Sequence, residues 1–292
     1  MKVNTKGALF ASLGLGSLLL AGCDNKLMVL DPKGPQAEVQ ANDIMTSIFI
    51  MSGIVLVVLA LLVFMLFKYR ASKQPADYEP PHIHGHWLVE TICIGVPVII
   101  VIVLSVMSVK SNYKVEAVPT GYEEQEPLVI YAQSSNWKWH FSYPEQNVET
   151  VNYLYIPTNR PIEFKLYSNG PITSFWIPQL GGQKYAMADM VTTLHLAAEV
   201  EGEYFGRNAN FSGAGFAENT FLTTAMTDAE FNEWVEEVHD TAEPITEDKY
   251  EKLLEPGHLG TSTYTGTHLE FAPAPEHNHG VEEQETTDHE SH

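Results

Sequence analysis

Cysteine is the rarest residue in this chain of 292. There are two, Cys23 and Cys93, and they lie in separate apolar segments, so no disulfide framework is expected; residues 110–292 contain none. Basic side chains are also few: 16 Lys and Arg stand against 37 Asp and Glu, for a net charge of −21. The deficit is local. Residues 1–109 carry 7 of each sign, leaving 9 basic and 30 acidic side chains to residues 110–292. A segment this acidic repels a nucleic-acid backbone. It suits a solvated surface, or one that attracts a basic protein. Hydrolase and nucleotide signatures are missing too: there is no G-x-S-x-G, no H-E-x-x-H, no P-loop and no dinucleotide fingerprint.

What the first 109 residues do have is apolar runs. MKVNTKGALFASLGLGSLLLAGC opens with Lys2 and Lys6 and ends on Leu20-Ala21-Gly22-Cys23. This is the layout of a secretory signal over residues 1–22. Its end resembles a bacterial lipobox, with Cys23 as the lipidated N-terminus of the mature chain. After an outer segment, 23–43, residues 44–67 form a run of 24 without a charge, and residues 91–109 a run of 19. At about 1.5 Å per helical residue, both can cross a hydrocarbon core of about 30 Å. Lys68, Arg70 and Lys73 place the connecting loop, 68–90, in the cytoplasm, so residues 110–292 lie outside a bacterial plasma membrane.

Several residues here have two readings. Glu90 stands at the inner edge of the second run; an acid there either lies in the headgroup zone or has a function. Cys93 reads as a small buried hydrophobe. Pro97 is expected to kink the helix, which neighbouring helices tolerate. His82, His84 and His86 could bind metal but fit a polar turn better.

Past residue 125 the periodicity changes to two. Trp137, Trp139, Phe141 and Tyr143 alternate with Lys138, His140 and Ser142, and Ile162, Phe164 and Leu166 alternate with Glu163 and Lys165. Residues 128–132, 151–156, 192–196 and 221–225 also read as strands. Together they predict a β-sandwich or barrel over 110–226. Thr227-Asp-Ala-Glu230 is a capping box, followed by Phe231, Trp234, Val235 and Val238 on one helical face. A second short helix is expected over 246–254, completing a helical arm, 227–271. From 272 to 292 the chain is rich in Glu and His, including His277, His279, His289 and His292. It reads as a disordered, solvated tail.

Two spans followed by an exterior β-domain resemble subunit II of the haem-copper oxidases, over residues 28–255. ETICIGVP (90–97) resembles the start of that family's second span, WKWHFSYP (137–144) its aromatic strand, and SFWIP (174–178) the strand holding its first copper histidine. The fold implied is a membrane-anchored α+β chain: a transmembrane helical hairpin, a cupredoxin-like domain and C-terminal helices. GRNANFSGAGFAEN (206–219) then falls on the loop that in copper-bearing relatives reads C-x3-C-x3-H-x2-M. The resemblance puts Thr173 at the upstream histidine, Asn208 and Ser212 at the cysteines, Phe216 at the loop histidine and Asn219 at the methionine. Asn210 takes the place of a carbonyl-donating glutamate. No sulfur or imidazole donor remains to suit copper, so no metal and no cofactor are expected in this chain.

That loss resembles the quinol-oxidase branch of the family, and DPKGPQAEVQ (31–40) and GRNANFSG (206–213) resemble the Gram-positive menaquinol oxidases. The resemblance implies a subunit of a proton-pumping quinol:oxygen oxidoreductase. Subunit I would supply the haems, the oxygen-site copper and the site for menaquinol or ubiquinol; subunits III and IV and membrane lipid would be further partners. Glu90 matches a glutamate at the inner mouth of a proton channel. A cytochrome c oxidase subunit, or a lipoprotein scaffold with an empty cupredoxin domain, are the rival readings.

Overall fold

The computed structural model describes residues 27–70 and 85–275. Cys23 and the expected signal segment lie outside these residues, as do Lys73, His82, His84 and the four tail histidines.

The two uncharged runs lie in helices α1 (Pro35–Lys68) and α2 (Trp87–Glu116). Both are long and apolar enough to cross a membrane, and their apolar stretches are unburied within the chain. Both also overrun the apolar sequence. Pro35 starts α1 directly after Gly34, since its fixed φ and missing N–H suit a first helical position. The first turns of α1 are buried against the β-domain at Gln36, Ala37 and Ala41. Lys33 stitches the preceding segment down: its N–H donates to the Gln179 carbonyl at 2.7 Å, and its carbonyl accepts from the Glu199 N–H at 2.9 Å. At the far end of α2, Glu116 pairs with Lys184 of the β-domain at 2.5 Å. Pro97 lies inside α2. Cys93, expected to be buried, is exposed on α2, because no described residue packs on that side of the helix.

The exterior domain is the expected sandwich of two sheets, cupredoxin-like in mixing parallel and antiparallel pairs. One sheet runs β11 (Ser262–Thr265), β3 (Val148–Val151), β2 (Lys138–Tyr143), β1 (Leu128–Ser135), β5 (Pro161–Asn169), β8 (Thr192–Ala197). The other runs β4 (Tyr153–Pro157), β10 (Thr220–Met226), β9 (Gly202–Asn208), β6 (Thr173–Trp176), β7 (Lys184–Ala186). β1–β5 and β4–β10 are parallel. Between the sheets, Trp139 and Phe141 meet Phe175 and Phe221 edge-on, with centroids 5.1–6.3 Å apart.

Two expected strands are corrected. Residues 151–156 are not one strand. Asn152, at φ 59°, turns the chain from β3 in the first sheet to β4 in the second. Its side chain fixes the corner, accepting from the Trp139 N–H at 3.0 Å and donating to the Leu259 carbonyl at 2.8 Å. Trp137 does not belong to the aromatic strand. With Asn136 it forms the two-residue hairpin between β1 and β2, both at positive φ.

After β10 comes α3 (Asp228–Thr241). Its capping box is formed: Thr227 Oγ1 accepts from the Glu230 N–H, and the Glu230 carboxylate accepts from the Thr227 N–H. Phe231 and Val238 are buried, and Trp234 packs on Tyr143 and Tyr155. α4 (Glu247–Leu254) follows, capped by Thr246. The arm does not stay helical. β11 pairs antiparallel with β3, and a 3-10 turn, His268–Glu270, folds over the same sheet.

Candidate functional site

β9 ends at Asn208, the register partner of Phe175 on β6. The loop then runs through the 3-10 turn Phe216–Glu218 into β10. Its shape rests on the Asn208 amide. Oδ1 accepts from the backbone N–H of Ser174 at 2.8 Å and of Asn210 at 2.9 Å, and Nδ2 donates to Ser212 Oγ at 3.0 Å. A side-chain hydrogen bond thus joins the two positions that the resemblance gave to paired cysteines. Asn210 turns its amide to the Ile172 carbonyl at 2.9 Å. Thr173 and Asn219 are buried beside Asn208, and Asn219 accepts from its N–H at 2.9 Å. Phe216 packs instead on the exposed Phe211, with centroids 5.6 Å apart.

The loop glycines answer to Trp137. A Cβ on Gly215 would sit 2.4 Å from the indole and one on Gly213 at 3.5 Å, and the indole N–H donates to the Ser212 carbonyl at 3.1 Å. The loop is small so that an aromatic ring can lie across it. Its donors are amides, a hydroxyl, carbonyls and the Glu218 carboxylate, with no thiolate, thioether or imidazole. Borderline-soft copper selects thiolate, thioether and imidazole, so these residues do not fit a binuclear copper group.

Glu90 lies in the first turn of α2 and is exposed. A carboxylate there is favoured by the partial positive charge of the helix N-terminus. The Glu90 carboxylate lies over Gly85, where an added Cβ would meet it at 1.9 Å.

The structure also brings together a group of residues that periodicity did not single out. The polar face of β2 is not solvated; Lys138, His140 and Ser142 are fully buried beneath the C-terminal arm. There the Glu149 carboxylate accepts from the backbone N–H of His268 at 2.7 Å, from its Nδ1 at 2.8 Å and from Ser142 Oγ at 3.1 Å. His268 Nε2 lies 2.5 Å from the Tyr167 hydroxyl, and its ring stacks on Tyr250 at 4.6 Å. His140 Nε2 lies 2.6 Å from Ser135 Oγ. Burial pushes His140 down to about 3, so it is neutral, and its 3.9 Å approach to Glu149 is no salt bridge. Burial alone would raise Glu149, but the hydrogen bond and charge of His268 bring it below the usual carboxylate value. Tyr167 is raised well above the ordinary phenol value, by burial first. The alternation in WKWHFSYP put His140 and Ser142 on one face; nothing local to Glu149 or His268 announced that they would meet there.

Comparison with known proteins follows the same division of the chain. Residues 26–111 match the family model for the transmembrane domain of cytochrome c oxidase subunit II. Quinol oxidase subunit 2 of Bacillus cereus is 48% identical over 254 residues, which cover 87% of each chain. Quinol oxidase subunit 2 of Bacillus subtilis is 47% identical over 255 residues, covering 87% of this chain and 79% of the relative. Among solved structures, the periplasmic domain of subunit II of cytochrome oxidase of Bradyrhizobium japonicum superposes with a TM-score of 0.38 at 22% identity, over 39% of this chain and 94% of that one.

Proposed function

Because the chain belongs to the quinol oxidase subunit 2 family of respiratory oxidase subunits, we propose that it serves a quinol-fed oxidase without carrying a redox centre of its own. Electrons pass from quinol, menaquinol in this reading, to the haems and copper of subunit I. This chain caps the outer face of subunit I, with subunits III and IV as further neighbours. The observation that carries this reading is the Asn208–Ser212 hydrogen bond, 3.0 Å, at the positions where thiolates would have to bridge two copper ions. Hydrogen bonding there holds the loop in shape without metal. A quinol dissolves in the membrane and needs no relay in an aqueous domain.

α1 and α2 anchor the chain, with the sandwich extracytoplasmic and Cys23 lipidated. Glu90 then faces the cytoplasmic side at the start of α2, where it collects protons for a channel shared with subunit I. An exposed carboxylate at a helix start can exchange protons with bulk water, as that role requires.

The test is purification of the intact complex, followed by a visible spectrum, quinol-driven oxygen uptake and electron paramagnetic resonance. Haem absorbance, quinol-dependent uptake and no paired-copper signal are expected. A mixed-valence copper-pair signal assigned to this subunit would overturn the reading.

A further inference from the structure

Near the sandwich, α1 and α2 leave a groove between them of about 550 Å³. Its lining residues follow spacings of three and four along both helices, from Gln40 to Ile48 and from Leu104 to Val115, so each helix offers one continuous face. On α2, Leu104, Met107, Ser111 and Val115 are half-buried while the residues between them are exposed, which marks the side turned to α1. The upper end of the groove abuts the sandwich. There the Gln40 amide lies over Gly182, where an added Cβ would meet Nε2 at 2.4 Å.

The groove changes character with depth. Gln40, Asp43, Ser111 and Asn112 lie just outside the uncharged runs, 44–67 and 91–109, while Ile48 and Leu104 lie inside them. Ser47 and Ser108 stand between, within one turn of the run ends. With both helices across a bilayer, this is the depth at which headgroups give way to acyl chains. An occupant has to be polar at one end and apolar at the other, as a membrane lipid is. Polar side chains at this depth are costly unless they are used. An apolar helix of subunit I laid in the groove would leave all six without a partner.

Charge narrows the class of lipid. Among the described residues that line the groove, Asp43 alone is ionisable; Lys110 and Lys114 of α2 do not line it. An anionic headgroup would meet a carboxylate with no cation in the lining to offset it. The other polar groups are two amides and three hydroxyls, which both donate and accept. We propose that the groove seats one zwitterionic aminophospholipid. Its ammonium donates to the Asp43 carboxylate, a charge-assisted bond. Its phosphodiester accepts from Ser111 and Asn112, and its acyl chains run over Ile48 and Leu104. This assignment rests on the proposed membrane anchoring, and it is independent of what feeds the complex with electrons.

The experiment has two arms, both on the intact complex. In the first, the complex is incubated in detergent with equal amounts of phosphatidylethanolamine and phosphatidylglycerol, and native mass spectrometry counts the lipids it retains. The parent should hold one phosphatidylethanolamine in preference to phosphatidylglycerol. Asp43→Asn, which keeps the side-chain size, should bind that lipid about tenfold more weakly, and Asp43→Glu should keep it. Equal retention of the two lipids, or an Asp43→Asn complex that holds phosphatidylethanolamine as the parent does, overturns the proposal. The second arm needs no variant: it is a structure of the parent complex. A headgroup at Asp43 with acyl chains along α1 and α2 supports the proposal. A groove that is empty, or filled by side chains of subunit I or by quinol, overturns it. Quinol-driven oxygen uptake by the same preparation tests the proposed function separately, because lipid retention requires no electron transfer.

Discussion

His268 lies against Glu149, 119 residues earlier in the chain, through three hydrogen bonds to one carboxylate: its backbone N–H at 2.7 Å to Oε2, and Nδ1 at 2.8 and 2.9 Å to the two oxygens. Both side chains are fully buried. This contact, with β11 on β3, fastens the C-terminal arm to the outer face of the first sheet. Removing one partner strands a buried group. We expect His268→Phe to cost about 3–5 kcal/mol, as for other broken buried pairs. Hydrogen exchange would read this as lost protection in residues 262–272 while the inner core stays protected.

Acid should loosen the same region. Glu149 is held below its ordinary value, so its contribution is present above the unfolded pKa and is lost as pH falls through the folded one. His140, at about 3 against 6.5 when unfolded, acts in the same direction. Between those values the unfolded chain binds the extra proton, so stability falls on acidification by about 1.4 kcal/mol per pH unit. Lys138, Tyr167, Tyr250 and His268 face the same cluster. Chemical unfolding from pH 7 to 4 should show the slope, and His140→Gln should flatten it.

The loop depends on Asn208 more than on any residue that follows it. Asn208→Ala removes three side-chain hydrogen bonds, a loss of about 2–4 kcal/mol at about 1 kcal/mol each. On the proposed function, in which the loop holds no electron carrier, quinol-driven oxygen uptake by the assembled complex should be unchanged. Lost uptake in a fully assembled variant would contradict the proposed function.

Gly215 and Trp137 should behave as a coupled pair. Gly215→Ala pushes a methyl into the indole, which lies 2.4 Å from the new Cβ, at a cost of about 1–3 kcal/mol for overpacking. The backbone at Gly215, φ −90°, is ordinary, so the cost is steric and should shrink in a Trp137→Ala background. A double-mutant cycle of Tm values measures this; additive effects would refute the contact.

Glu90→Ala should slow turnover without impairing assembly. On the proposed proton-entry role, the deficit should grow with pH, since each unit lowers the proton concentration tenfold. Turnover equal to the parent across the whole pH range would remove Glu90 from the proton path.

The parts of this fold legible in sequence are those where one local rule decides. The uncharged runs announced α1 and α2, and Thr227 with Glu230 announced the start of α3. Where long-range packing decides, local rules failed. Nothing near 151–156 says that Asn152 takes a left-handed turn between sheets; that follows from its bonds to Trp139 and Leu259. Trp137 sits in a hairpin because the glycines near residue 214 leave room for its ring. The short strand Ser262–Thr265 exists only because β3 offers it an edge, and until that is known, the polar face of β2 looks solvated. At the candidate site, the resemblance pointed to Thr173, Asn208, Asn210, Ser212 and Asn219, but could not foresee the hydrogen bonds by which the Asn208 amide holds Ser174, Asn210 and Ser212.

α1 is welded to the sandwich at its first turn. A Cβ on Gly34 would strike the Ala197 carbonyl at 2.0 Å, and Gln36 and Ala37 are already interior. No slack joint separates anchor from headpiece. Any tilt that bilayer thickness imposes on α1 therefore bears directly on the edge of the sandwich around Leu180, Gly181 and Ala197, where the helix start is packed.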